Sequence, residues 1–142
     1  MSYELERSIG FKINQTANKI NNKYTKMLQP FNIAPEQRAA LEIIKYESDV
    51  NQTKIATILG KDKTTICRAL NALETKNFIK KSQKDKRTNL IEITPEGEDI
   101  LDKCSISVKD FRKNLSSKLK DEDMNTLIKL LEKVALSVEE LS

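Results

Sequence analysis

The stretch QTKIATILGKDKTTICRALNAL, residues 52–73, decides the fold of this chain. Gly60 lies near its centre, and glycine can end a helix in the left-handed conformation without steric strain. Asp62 follows at a position from which a carboxylate can cap the next helix. Small and apolar residues recur at helical spacing on both sides of this turn: Ile55, Ala56, Leu59, Ile66, Leu70 and Leu73. A short helix, a glycine turn and a second helix together predict a helix-turn-helix.

The polar face of the second helix carries side chains that suit the major groove of DNA. At about 100° per residue, Arg68 and Asn71 lie on the side opposite the apolar residues. Arginine can bind guanine bidentately, asparagine can bind adenine, and threonine can contact phosphate or a thymine methyl group. A lysine at the helix start can meet a phosphate beside the N-terminal amides. The residues of this helix predicted to bind DNA are Lys63, Thr64, Thr65, Arg68, Asn71 and Thr75.

A β-hairpin with a charged loop is predicted directly after this helix. The segments 78–81 and 90–93 are rich in β-favouring residues, and the residues between them are polar and basic. A hairpin in this place is the wing of a winged helix, and basic residues at its tip can enter the neighbouring minor groove. The wing residues predicted to bind DNA are Lys84, Lys86 and Arg87. We predict that Asp85 pairs with Arg87 and stabilises the wing; the alternative is that Asp85 is an ordinary turn residue.

Positive charge is concentrated in the centre of the sequence. The 142 residues carry a net charge of +4, and residues 51–94 alone carry +6, whereas residues 1–50 carry +1 and residues 95–142 carry −3. A basic centre between near-neutral and acidic segments favours a polyanionic partner such as double-stranded DNA. The alternative is a lysine-rich surface that only contacts solvent.

Composition excludes several other classes of protein. The chain has no histidine and two cysteines, so we expect no metal site, no hydrolase triad and no disulfide framework. No apolar run reaches the roughly 18 residues of a membrane helix. We therefore expect a cytoplasmic protein that is not an enzyme, needs no cofactor and has no membrane partner.

Both ends of the chain are predicted to form long amphipathic helices. Apolar residues recur at spacings of three and four before Pro30, after the Thr94-Pro95 helix start, and again from Met124 to Leu141. A short chain cannot cover so many apolar faces alone, so we expect them to pair with a second copy; the alternative is a bundle within one chain. The predicted fold is mainly α, with residues 31–97 as a winged helix-turn-helix and residues 1–30 and 98–142 as a helical dimerisation layer.

The wing and the helices around it resemble the MarR family of winged helix-turn-helix transcriptional regulators. The stretch DKRTNLIEITPEG, residues 85–97, resembles the family's wing signature of Asp, any residue and Arg, then an apolar strand and Thr-Pro-x-Gly. Residues 33–41 resemble the family's second helix and residues 63–68 its recognition helix. Three departures are Ala34, where the family usually has a capping Thr or Ser, Asn77, where it usually has Gly, and Thr88, where a smaller residue is typical. Asparagine tolerates the left-handed conformation, so we expect the turn at Asn77 to be kept.

The resemblance implies a homodimer that binds a pseudo-palindromic operator, with half-sites about 34–36 Å apart. Members of the family commonly repress transcription and are released from DNA by small, often anionic or phenolic ligands. No motif marks a ligand pocket, so we predict no ligand-binding residues. Two alternatives remain open: a nucleoid-type or architectural DNA-binding protein with little base specificity, and a helical adaptor for other proteins.

The two cysteines are interpreted separately. Cys104 lies on an apolar helical face and is predicted to belong to the core. Cys67 lies on the flank of the recognition helix, where we favour packing as a small apolar residue. The alternative is an exposed thiol whose oxidation would alter the DNA-binding face.

Overall fold

The computed structural model describes residues 4–83 and 89–141, and the chain is mainly helical with a two-stranded hairpin. Short 3₁₀ helices occupy Glu4–Arg7 and Gln29–Phe31. The other elements are, in chain order, α1 (Ile9–Leu28), α2 (Pro35–Tyr46), α3 (Gln52–Leu59), α4 (Lys63–Thr75), β1 (Ile79–Gln83), β2 (Asn89–Ile93), α5 (Pro95–Leu115) and α6 (Asp121–Glu139). The predicted winged helix-turn-helix fold, mainly α with a small hairpin, is therefore confirmed.

The chain divides into two compact units, residues 1–105 and 106–142. The first unit has an apolar core built by the inward faces of its helices together with β1. The largest fully buried side chains of this unit are Leu28, Leu41, Ile55, Ile66, Leu70, Leu73, Ile79 and Cys104. The recurrence of apolar residues at helical spacing in α3 and α4 thus predicted this core, because it placed one face of each helix inward.

The helix starts follow the signals in the sequence. The Ser8 hydroxyl accepts a hydrogen bond from the Phe11 amide and caps α1. Ala34 stands before α2 and has no side-chain acceptor, and the Gln37 side chain supplies one hydrogen bond by accepting from the Ala34 amide at 3.2 Å. The start of α2 therefore keeps half of a capping box although the capping hydroxyl of the family is absent.

The junction between the hairpin and α5 is tightly bonded. The Thr94 hydroxyl donates to the Asn77 carbonyl at 2.7 Å and accepts from the Gly97 amide at 3.0 Å. The Thr94 amide donates to the Phe78 carbonyl at 3.0 Å. A Cβ atom at Gly97 would overlap that same Phe78 carbonyl oxygen, so the first turn of α5 lies against the backbone between α4 and β1.

The inward face of α2 differs from the prediction. The spacing of apolar residues after Pro35 predicts a face formed by Ala39, Ile43 and Tyr46, but Tyr46 is 74% exposed and the buried apolar residues are Ala40, Leu41 and Ile44. The doublets Ala39-Ala40 and Ile43-Ile44 make two neighbouring faces equally apolar, so spacing alone could not choose between them.

A buried arginine also lies on α2. Arg38 is 6% exposed, and its Nη1 atom is 3.1 Å from Oε1 of Glu42 one turn later. Burial disfavours its positive charge, but Tyr24, Cys104 and Glu42 outweigh this effect and raise the pKa of Arg38 above its ordinary value. The core of the first unit therefore includes a charge that is compensated locally.

In the second unit, α6 buries no residue although it has the predicted apolar spacing. Exposed large apolar side chains occur along its length: Met124, Leu127, Ile128, Leu130, Leu131, Leu136 and Val138. Across the described ranges, no helix combines the length and apolar character that crossing a bilayer requires.

Candidate nucleic-acid interface

The turn between α3 and α4 has the geometry that the sequence predicted. Gly60 adopts a left-handed conformation with φ of 65°, and its amide donates to the Thr57 carbonyl. The Lys61 amide donates to the Ala56 carbonyl at 3.1 Å, so two carbonyls of the last turn of α3 have partners. No atom lies within 4 Å of a Cβ built at Gly60, so the backbone conformation and not a lack of space favours glycine there.

Asp62 caps the start of α4. Its Oδ1 atom accepts a hydrogen bond from the Thr65 amide at 2.7 Å. Hydrogen bonding from Thr65, with smaller contributions from the charges of Arg68 and Lys61, lowers the pKa of Asp62 below its ordinary value. A negative charge at this end also complements the dipole of α4.

The predicted DNA-binding face of α4 points to solvent. The opposite face is buried, because Ile66, Leu70 and Leu73 are 0%, 1% and 0% exposed. Thr65 is half-buried, and the remaining predicted residues of the helix are exposed: Lys63, Thr64, Arg68, Asn71 and Thr75. The fold therefore presents these side chains together on one accessible surface.

Hydrogen bonds within α4 restrict two of these side chains. The Thr75 hydroxyl donates to the Asn71 carbonyl at 2.9 Å, so Thr75 offers DNA an acceptor and a methyl group while that bond holds. Nδ2 of Asn71 lies 3.7 Å from Sγ of Cys67 and donates to it. The orientation of the Asn71 amide is thus coupled to the state of the Cys67 thiol.

Packing of Cys67 was the favoured interpretation, and it is wrong, because Cys67 is exposed. The buried arc of α4 spans about 100° between Ala69 and Leu70, and Cys67 lies about 60° beyond its edge. The prediction for Cys104 is confirmed, since its thiol is buried in the core.

The predicted hairpin is confirmed up to the root of the wing. Strands β1 and β2 pair antiparallel from Ile79↔Ile93 to Gln83↔Asn89, and the Gln83 side chain donates to Oδ1 of Asn89 at 3.3 Å. The Ile91 amide donates to the Val50 carbonyl at 2.9 Å, which attaches β2 to the chain before α3. Four of the predicted wing residues lie outside the described ranges: Lys84, Asp85, Lys86 and Arg87.

A polar groove between the start of α3 and the hairpin was missed by the sequence analysis. Its volume is about 640 Å³, and Leu70 and Ile91 are among its lining residues. Its polar and charged lining residues are Asn51, Gln52, Thr53, Lys81, Ser82, Gln83 and Asn89. The Gln52 side chain also donates to the Lys63 carbonyl at 3.0 Å and so attaches the start of α4 to α3. The polar triplet Asn51-Gln52-Thr53 before the apolar part of α3 was the available signal.

A helix-turn-helix with an exposed polar recognition face, followed directly by a β-hairpin, defines a winged helix-turn-helix protein. Residues 33–88 match the model of the MarR family. Residues 33–88 are therefore a MarR-family domain, and the chain is similar to DNA-binding transcriptional regulators of that family over most of its length.

Individual relatives agree with this family over most of the chain. The regulator YwoH of Bacillus subtilis is 28% identical over 124 residues, which cover 87% of this chain and 90% of YwoH. The crystal structure of a MarR/EmrR family transcriptional regulator from Acinetobacter sp. ADP1 matches with a TM-score of 0.91 at 27% identity, covering 98% of this chain and 100% of that one. A mutant MarR from E. coli, complexed with operator DNA, matches with a TM-score of 0.81 at 25% identity, covering 94% and 99%.

Proposed function

We propose that this protein is a sequence-specific repressor that binds a pseudo-palindromic operator as a homodimer and is released by a small anionic or phenolic ligand. The observation that carries the proposal is the surface of α4. Arg68 and Asn71 are exposed on a helix whose opposite face is fully buried, so the core fixes the direction in which they point.

Base recognition follows from the chemistry of that surface. Arg68 suits guanine and Asn71 suits adenine, whereas Lys63 at the helix start suits a phosphate. On the wing, Lys84, Lys86 and Arg87 supply further positive charge to the neighbouring groove, with Asp85 stabilising the tip. Basic side chains on both elements allow one protomer to bind adjacent grooves of the same duplex.

Exposed apolar surface supports the homodimer. In projection down the axis of α6, most of its exposed apolar side chains fall within one arc of about 160°, with Leu130 at one edge and Ile128 at the other. This arc is wider than the seam of a two-stranded coiled coil. Leu5 and Ile9 near the N-terminus are also exposed. We propose that residues 1–30 and 98–142 form the dimerisation region and that residues 31–97 bind DNA. A two-fold axis then requires two half-sites and an approximately palindromic operator.

Release by a ligand needs only a change in the separation of the two DNA-binding regions, because both half-sites must be bound at once. A structural neighbour with the same fold at 23% identity, CouR from Rhodococcus jostii RHA1, is bound to p-coumaroyl-CoA. We propose an effector of comparable chemistry, acting in the cytoplasm, and assign it no binding residue.

Selection of binding sites from a random DNA pool tests the proposal. At physiological salt the selected operator should bind far more tightly than random DNA of the same length. Arg68→Ala should cost about 1–3 kcal/mol and relax base preference, whereas Arg87→Ala should weaken all sequences more evenly.

Lys103→Ala is the control, since it removes a positive charge from an exposed site on α5 and should leave the operator preference intact. Equal affinity of the wild-type protein for operator and random DNA would favour a nucleoid-type protein instead.

A further inference from the structure

Lys76 follows α4 directly and has an unexpected environment. A lysine at the end of a recognition helix would ordinarily be interpreted as a phosphate contact. In this protein Lys76 is half-buried, and its Nζ atom donates to the Asn32 carbonyl at 2.8 Å and to Oε1 of Gln37 at 3.0 Å. The ammonium group of Lys76 therefore forms its hydrogen bonds within the first unit.

Both acceptors belong to the chain that leads into α2. Asn32 ends the 3₁₀ helix in a left-handed conformation with φ of 54°, and Gln37 lies in the first turn of α2. Oε1 of Gln37 also accepts from the Ala34 amide, so one oxygen atom links the start of α2 to Lys76. These bonds join residues 39 and 44 positions apart in sequence.

The contact lies at the end of α4, where a small rotation of the helix would displace its DNA-binding side chains. The helix α4 has 13 residues and is thus about 20 Å long. Gln52 attaches its first carbonyl to α3, and Lys76 attaches its last turn to α2. Lys76 lies about 12 Å along the axis from Arg68, too far to share its base contact. The two attachments together fix the direction of the whole helix.

We propose that Lys76 is a positioning residue that sets the base specificity of α4 through Asn32 and Gln37, without contacting DNA. The inference rests on the proposed function. The inference assigns Lys76 a different role from that of Lys63, which has the same charge but is exposed at the opposite end of the helix.

Salt dependence of DNA binding tests this separation, with Lys76→Met and Lys63→Met compared in the full chain. Lys63→Met should reduce the slope of log affinity against log salt by about 0.9 for each lost phosphate contact. Lys76→Met should leave that slope and the affinity for random DNA unchanged. It should lower operator affinity by roughly tenfold, because α4 then holds Arg68 and Asn71 less firmly in the direction that base recognition needs.

Two further variants distinguish positioning from loss of folding. Lys76→Arg retains a cationic donor and should restore most of the operator preference. Gln37→Met leaves the charge of Lys76 in place and removes one acceptor. It should lower specificity by a smaller factor, and combining it with Lys76→Met should give less than the sum of the two effects.

Each outcome has a defined meaning. If the wild-type protein prefers its operator and the Lys76→Met variant keeps that preference in full, the inference about Lys76 is wrong and the proposed function still stands. A reduced salt slope in that variant also contradicts it, because Lys76 would then be a phosphate contact. A wild-type protein without operator preference contradicts the proposed function and this inference together.

Discussion

The helices α4 and α6 have the same apolar spacing but opposite environments. In α4, Ile66, Leu70 and Leu73 are covered by neighbouring elements of the same chain, whereas in α6 Leu127 and Leu131 are 46% and 42% exposed. Periodicity therefore predicts a helix and its apolar face but does not say which molecule covers that face.

The polar faces of the two helices differ as well. Outside its apolar face α4 has three threonines, Asn71 and Arg68 beside Lys63 and Glu74, whereas α6 has mainly Asp, Glu and Lys. Asp62 caps α4 with its side chain, while Lys120 before α6 has no such bond and only donates its amide to Asp123 at 3.1 Å. Threonine, asparagine and arginine can contact bases and phosphates in a groove of DNA, whereas a face of mixed Asp, Glu and Lys suits water.

The largest expected effect is on association. Leu127→Asp combined with Leu131→Asp should raise the dimer dissociation constant by at least about 100-fold, because each buried leucine contributes about 1.5–3 kcal/mol and appears twice across a two-fold axis. Sedimentation equilibrium measures it. Leu136→Asp is the matched control, since Leu136 lies about 140° round α6 from Leu131. A wild-type protein that stays monomeric at micromolar concentration would contradict the dimer.

A smaller effect is expected in the core of α4. Leu70→Ala should lower the free energy of unfolding by about 2–5 kcal/mol, because it leaves a cavity in a fully buried site. Urea denaturation at fixed protein concentration measures this, since dimer formation makes stability depend on concentration. A loss below about 1 kcal/mol would mean that the face of α4 is not packed as described.

Alkylation of the two cysteines tests whether the outward face of α4 lies against DNA, and it requires no substitution in that face. Iodoacetamide should alkylate exposed Cys67 in the native protein and buried Cys104 only after unfolding. Operator DNA should slow alkylation of Cys67, and random DNA at physiological salt should not, as followed by mass spectrometry. Unchanged labelling in a saturated operator complex would place α4 away from the DNA.

The smallest effect concerns the cap of α4. The pKa of Asp62 is lowered in the folded state, so its contribution to stability is present above the unfolded pKa of about 3.9 and is lost as pH falls through the lower folded value. Asp62→Ala should therefore destabilise the protein near neutral pH, and the difference from wild type should shrink below about pH 4. Asp62→Asn keeps an acceptor and should lose less. If the difference between the urea midpoints of wild type and Asp62→Ala did not change with pH, the charge of Asp62 would not be the cause of its stabilising effect.

The sequence predicted those parts of the fold whose signals are local. Gly60 and Asn77 adopt the expected left-handed conformation, with φ of 65° and 66°, and Asp62 caps the helix it precedes. Glycine and asparagine tolerate this conformation; Gly60 was predicted from its place between apolar stretches, and Asn77 from its place where the MarR family usually has glycine. The exposed face of α4 was predicted from the helical spacing of its apolar residues, because the polar residues lie on the opposite side.

Features that depend on partners distant in sequence were not predictable. Lys76 is directed inward because its acceptors, Asn32 and Gln37, meet it only in the folded chain. The polar groove forms where α3 approaches the hairpin, and the ion pair of Arg38 lies in a core that composition does not reveal. Each of these features is set by tertiary packing and not by a local propensity.

The corner formed by Thr94 and Gly97 has a mechanical consequence. Because Thr94 bonds to Asn77 and Phe78, and because the space at Gly97 is too small for a methyl group, the hairpin and the start of α5 cannot slide past each other. A movement of the first turn of α5 should therefore carry the end of β2 and the segment after α4 with it. Under the proposed function, regulation would then change where these joined elements lie on the duplex and leave their arrangement within one protomer unchanged.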